Sequence, residues 1–258
     1  MYGYNDIMGL SAWHLLALSA AGLVATALNT LAGGGSLISF PLLIMLGIPP
    51  IAANATNAFA LTLGGVSGAL SSTGSLPRIR QHLIRFAPPT FVGTFAGAWL
   101  LLSTTQALFN SIVPLLLLVA TMLLGLRSVL TKPRHITSDA AHALAPLCVI
   151  AVAVYGGYFG AGMGIVFLAV LDWFSPGNLQ DNNAIKNWLQ CLVNVVATLI
   201  FLAKGLVLIV PGIALMAGGL VGGYVSGQLA RRLDPKVLRL GVVAYGIIIT
   251  CVFAARLF

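Results

Sequence analysis

The sequence predicts an all-α polytopic membrane protein. It is expected to hold two inverted-topology repeats of about five transmembrane segments each, with short interrupted segments near 32–48 and 160–176. Three observations lead there. Of the 258 residues, 59% are hydrophobic and 7% charged, whereas a soluble domain carries about a quarter charged residues. A soluble fold of this composition would leave too much apolar surface in water. The apolar runs are also continuous, as from Pro114 to Leu126. Barrel strands alternate apolar and polar positions over about ten residues, and only helices or closed barrels span a bilayer, so helices are selected. Finally, sliding the chain by 130 residues places Gly34 on Gly164, Gly47 on Gly177, Asn57 on Asn187, Val66 on Val196 and Gly93 on Gly223.

The elements follow in order. The first apolar segment covers 8–31, free of charge after Asp6. The second, 36–48, is too short: a helix from Ser36 to Leu46 would rise only about 16–17 Å, against a hydrocarbon core of about 30 Å. Segments at 54–75, 86–103 and 107–130 complete the first half. In the second half, 142–160 is followed by another short piece, 162–174, then by 184–203, 207–230 and 238–256. The expected domains are a first repeat at 1–130, a polar cytoplasmic linker at 131–141 (TKPRHITSDAA) and a second repeat at 142–258.

Basic residues set the expected orientation. Counting each short segment as one crossing puts Arg78, Arg80, Arg85, Arg127, Lys132, Arg134, Lys186, Arg231, Arg232, Lys236 and Arg239 on one side, leaving only Lys204 and Arg256 opposite. Treating the short segments as hairpins moves the 231–239 cluster to the wrong face. The positive-inside rule therefore favours five crossings per half in the cytoplasmic (inner) membrane, with both termini outside. The odd count makes the halves inverted. Trp13, Trp99, Trp173 and Trp188 are expected near helix ends, as interface anchors. The net charge of +8 is explained by these loops, and no nucleic-acid partner is expected.

The stretch Thr30-Leu-Ala-Gly-Gly-Gly-Ser-Leu-Ile-Ser-Phe-Pro41 interrupts the apolar sequence with residues that weaken helices. Non-helical backbone at membrane depth is tolerated only inside protein or along a wet cavity. Interrupted segments at matching positions of two halves mark a transporter-type site near the midplane. The candidate substrate-binding residues of the first half are Asn29, Gly33, Gly34, Gly35, Ser36, Asn54, Thr56 and Asn57. Those of the second are Gly162, Gly164, Asn183, Lys186, Asn187, Gln190 and Asn194. From Asn183 to Asn194 these polar residues share one helical face. Amide donors plus a cation suit an oxyanion, whose desolvation must be offset by hydrogen bonds and charge. Helix N-termini near Ser36 and Ile165 would add backbone N–H groups and a positive dipole. The competing readings are that the glycines only allow close helix packing, that Lys186 snorkels to the headgroups, and that Asn54 is a helix cap. Gly93-x3-Gly97 and Gly223-x3-Gly227 are expected to be packing motifs.

At these residues the chain resembles the sulfite exporter TauE/SafE family of transmembrane sulfur-compound permeases. The resemblance rests on Ala21–Ala60, with its Asn29, glycine cluster, Pro41 and Gly47-Ile-Pro-Pro50, and on Gly156–Asn194. Where the family often has Gly-Pro-Gly-x-Gly, this chain has Gly160-Ala-Gly-Met-Gly164. The resemblance implies movement of small, often sulfur-containing anions such as sulfite or organosulfonates across the cytoplasmic membrane, and does not fix the direction. Taken with the two interrupted segments, the expectation is a secondary transporter, an exporter of such oxyanions, working by alternating access. The alternatives are an anion channel and a non-transporting membrane subunit of an enzyme complex.

Other chemistry finds no support in the residues. There is no Glu, the five Asp residues lie near segment ends, and no His/Cys/Asp/Glu cluster has metal-ligand spacing. An enzyme, a cofactor and a bound metal are therefore not expected. The absence of carboxylates within the apolar segments also argues against a carboxylate proton relay.

Overall fold

In the computed structural model, residues 11–72, 76–130, 139–174, 179–229 and 235–255 are described. They form helices and no strands. The first half contains α1 (Ala12–Ala32), α2 (Ser36–Met45), α3 (Pro50–Ser72), α4 (Leu76–Ser103), α5 (Gln106–Gly125) and the short α6 (Arg127–Leu130). The second contains α7 (Asp139–Tyr158), α8 (Met163–Phe174), α9 (Leu179–Ala203), α10 (Ile209–Leu229) and α11 (Pro235–Ala255).

Local sequence explains the breaks. Gly33 ends α1 in the left-handed conformation, φ 85°, with its N–H bonded to the carbonyls of Leu28 and Asn29. Gly160 ends the α7 segment in the same way, φ 79°, its N–H bonded to Tyr155 O. Only glycine adopts this cap without a Cβ penalty. Pro50 opens α3 at the first helical position, where the missing N–H costs nothing. The Thr105 side chain caps α5 by accepting from Leu108 N. The two short helices are the expected interrupted segments.

Five described helices are long and apolar enough to cross a membrane: α1, α4, α5, α9 and α10. α3 is just as long, at 23 residues, but carries Asn54, Thr56 and Asn57 on buried positions. Many large apolar side chains face outward, among them Leu147, Leu240 and Ile248. In water such a surface would be unstable; against lipid it is the solvent-matched face. The chain is an all-α polytopic membrane protein.

Helix pairing follows a pattern. α1 packs on α10 and α4 on α7; α3 packs on α10 and α4 on α9; α3 meets α9, and α5 meets α11. Exchanging α1–α5 with α7–α11 maps this set onto itself. The close pairs are made by glycine: a Cβ on Gly93 or Gly97 would strike α7 backbone, and one on Gly22 or Gly218 would strike backbone across the α1–α10 seam. Gly93-x3-Gly97 is thus a packing motif, as expected. Gly223 packs on Gly64 of α3, while Gly227 lies outside the described side chains.

Polar contacts order the two ends. Arg78 at the start of α4 pairs with Asp181 at the start of α9, 3.7 Å apart. At the far end of the same helices, Lys204 lies over the Trp99 ring at 5.9 Å, and Thr104 Oγ1 lies 3.4 Å from Tyr158 OH. The basic end therefore carries the starts of α4 and α9. The linker residues 131–138 lie outside the described residues, and α7 already begins at Asp139, three residues before the expected repeat boundary. Trp13 and Trp99 are exposed near helix ends, as interface anchors are. Trp188 lies inside α9 and packs on the core around Ile185 and Leu189, because that stretch of α9 faces α4, α7 and α8 rather than lipid.

Candidate functional site

The site forms where the two short helices meet the middle of the bundle. Gly33 and Gly164 touch backbone to backbone: a Cβ on Gly33 would lie 2.8 Å from Gly164 C and from Ile165 N. The glycine-rich entry to α2 thus crosses the entry to α8. Beside this crossing, Asn29, Ser36, Asn54, Asn57 and Asn194 line one small cavity with Phe159, Met163 and Phe201. Ser36 and Met163 are the first residues of α2 and α8, so both short helices direct their N-termini to the same space. Helix N-termini carry partial positive charge and free N–H groups, the usual provision for an anion.

The cavity wall is an amide network. Asn29 Oδ1 accepts from Gln190 Nε2 at 3.2 Å. Asn57 Oδ1 accepts from Ser39 Oγ at 2.5 Å. Asn54 Nδ2 donates to Tyr158 O at 3.0 Å. Asn194 is only 6% exposed, and among the described residues its Nδ2 has no acceptor. A buried donor without a partner costs about 1–3 kcal/mol, and this amide is the open donor of the cavity wall. Free space for the centre of a water-sized sphere is about 10 Å³, room for about one water. The cavity is small.

Lys186 is buried, 1% exposed, and does not line the cavity. Its Nζ donates to Thr30 O at 3.0 Å and to Asn29 O at 3.3 Å. Both are last-turn carbonyls of α1, where helical partners run out; Asn29 O also accepts from Gly33 N, and a cation there offsets the helix dipole. The snorkelling alternative therefore fails, because the side chain points into the protein rather than toward the headgroups.

The remaining candidates divide. Thr56 is buried but accepts from Leu208 N at 3.0 Å, serving the start of α10. Gly34 faces the Leu124 side chain, and Gly162 faces Ala120 of α5. Gly35 lets α2 approach the α1 backbone near Ala25. Gly164 lies under the Gln190 amide, where a Cβ would come within 2.6 Å. Asn187 is buried and bonded. Asn183 is half-buried near the basic end, away from the cavity lining. The offset of 130 matches Gly34 to Gly164, but the left-handed glycines that end α1 and the α7 segment are Gly33 and Gly160, a spacing of 127. By backbone role these two are the partners, and each stands three residues before the first residue of its short helix, Ser36 or Met163.

Two features escaped the sequence. Ser39, inside α2, orients Asn57. Asp172, two residues from the end of α8, is buried and accepts from Asn182 Nδ2 at 2.7 Å. A carboxylate is therefore enclosed by the protein after all. Its place near a segment end hid this, because distance from a helix end does not report which neighbours cover it.

Comparison with known proteins points to one family of membrane proteins. A profile of the Sulfite exporter TauE/SafE family matches residues 18–253. The chain is 28% identical over 247 residues to a "Probable membrane transporter protein" of Haemophilus influenzae, covering 92% of each chain. It is 28% identical over 239 residues to "Probable membrane transporter protein ORF9" of Sinorhizobium sp, covering 88% of each. It is 26% identical over 268 residues to "Probable membrane transporter protein YfcA" of Escherichia coli K12, covering 100% of this chain and 94% of that one. These relatives are named as transporters, not enzymes. No solved structure matches the chain significantly. With residues 18–253 matched, the chain belongs to the sulfite exporter TauE/SafE family.

Proposed function

We propose that the protein is a secondary transporter that exports small, sulfur-containing oxyanions such as sulfite or organosulfonates by alternating access. The single observation that carries this is the convergence of two short-helix N-termini and four asparagines on one buried cavity. Uncharged amide donors and helix dipoles can replace the hydration of an anion without holding it so tightly that it cannot leave. Membership of a sulfite exporter family supports the substrate class and the outward direction.

The two halves act as inverted repeats, 1–130 and 142–258, joined by the linker 131–141. The self-mapping helix pairing supports this, as does the clustering of Arg78, Arg80, Arg85 and Arg127 toward one end. That end is cytoplasmic by the positive-inside rule, and both termini are outside. Asn29, Ser36, Asn54, Asn57 and Asn194 contact the anion. Gly33, Gly35, Gly162 and Gly164 shape the crossing, Gly34 packs beside it, and Gln190 orients Asn29. Asn187, Thr56 and Lys186 act from around the cavity, and Asn183 from nearer the basic end.

A thermal-shift screen of the detergent-purified protein tests the substrate class, since a ligand that binds only the folded state raises its apparent stability. Sulfite or a small sulfonate should raise the unfolding temperature in a saturable way, and chloride at matched ionic strength should not. Equal shifts with chloride and sulfite would remove the selectivity for oxyanions.

A further inference from the structure

Two contacts between the halves are related by the exchange of the repeats. Lys186, on α9, reaches the last carbonyls of α1. Asn54, on α3, reaches Tyr158 O, the last residue of α7. Under the exchange α3 becomes α9 and α1 becomes α7, so each contact is the other's counterpart. They lie at opposite depths. Lys186 stands between the basic end, where Arg78 meets Asp181, and Asn194, about 12 Å further along α9. Asn54 and Tyr158 stand toward the end where Thr104 approaches Tyr158 OH. The amide-lined cavity lies between the two contacts.

We propose that Lys186 and Asn54 are the paired gate residues of alternating access, Lys186 closing the cavity toward the basic end and Asn54 closing it toward the opposite end. This rests on the transporter reading of the cavity. Each contact joins the third helix of one half to the first helix of the other, so it must break when the halves rock apart on its side. With both contacts made and room for about one water in the cavity, this conformation corresponds to the occluded step of that cycle.

The gates differ in chemistry. The Asn54 gate is one neutral hydrogen bond. The Lys186 gate is a buried ammonium on two carbonyls, and among the described residues no carboxylate forms a salt bridge with it. A buried cation without a counterion is electrostatically unsatisfied. An anion arriving from the basic end therefore competes with the α1 carbonyls for Nζ and loosens that gate. The amide gate offers an anion no such charge. Lys186 is thus a positioning residue that acts on the cavity through α1, the helix that carries Asn29.

The test uses the full chain with Cys148, Cys191 and Cys251 replaced by alanine and a single cysteine at the cavity-lining position Ala197. Labelling by a membrane-impermeant maleimide is timed from each face in oriented vesicles, without ligand. Lys186→Gln should speed labelling from the basic face about 10- to 100-fold, the range for a hydrogen bond to a charged group, and leave the other face unchanged. Asn54→Ala should speed labelling from the opposite face only, by about 2- to 10-fold. Lys186→Arg, which keeps the cation, should stay near the parent rate. Equal acceleration from both faces, reversed sidedness, or unchanged rates in folded variants would overturn the proposal. If Lys186→Gln does not fold, Asn54→Ala decides it alone: no acceleration from the opposite face overturns it. Labelling requires no transport. Sided acceleration in a protein that moves no anion would keep the gates and defeat the transport reading; transport with unsided labelling would do the reverse.

Discussion

Replacing Gly33 with alanine is expected to destabilise the protein by roughly 2–5 kcal/mol, combining a left-handed alanine with an overpacked contact. The position is doubly constrained. Its φ of 85° disfavours any side chain, and the new methyl would meet Gly164 C at 2.8 Å. Gly47 separates the two effects. It has nearly the same φ, 83°, but nothing lies within 4 Å of an added Cβ. Gly47→Ala should therefore cost only the backbone term, about 1–2 kcal/mol. Denaturant unfolding of the two variants in detergent measures the difference, which reports the tightness of the crossing between the halves. A Gly33→Ala variant no weaker than Gly47→Ala would mean that the two interrupted segments are not in contact.

The second large effect is expected at Asn194. Its Nδ2 is the buried donor left without an acceptor in the cavity wall. Asn194→Ala removes one hydrogen bond to an anion, so affinity should fall about 10- to 100-fold. Asn194→Asp also places a carboxylate against the ligand. Like charges opposed across a binding site cost several kcal/mol, so affinity should fall about a thousandfold or more. Calorimetric titration with sulfite distinguishes the two variants. Equal losses in Asn194→Ala and Asn194→Asp would mean that the side chain does not face an anion.

Much of this architecture is legible in the residues. The short helices announce themselves, because Ser36–Met45 cannot reach across a bilayer and is bounded by Gly33-Gly-Gly35 and Gly47-Ile-Pro-Pro50. The inward face of α9 is also legible from spacing: Lys186, Asn187, Gln190 and Asn194 are all buried. Spacing along one helix does not tell which neighbour a face meets, however. Asn194 meets the cavity, Gln190 meets Asn29, and Lys186 meets the end of α1. These are contacts between residues more than 150 positions apart, so they depend on how the halves dock. The same limit hid the touch between Gly33 and Gly164, and it led the uniform offset to favour Gly34. Thr56 shows the converse. Polar and one turn into α3, it reads like Asn57, but it faces α10 and satisfies Leu208 N.

Flux through purified protein in liposomes tests the central claim most directly. Radiolabelled sulfite is placed on the side that meets the basic end, and its appearance on the other side is followed with and without unlabelled sulfite there. Saturable flux that unlabelled sulfite accelerates from the far side, and that Asn194→Asp abolishes in a folded protein, is the expected result. Flux that rises without saturation, ignores sulfite on the far side and persists in Asn194→Asp would contradict a carrier built around this cavity.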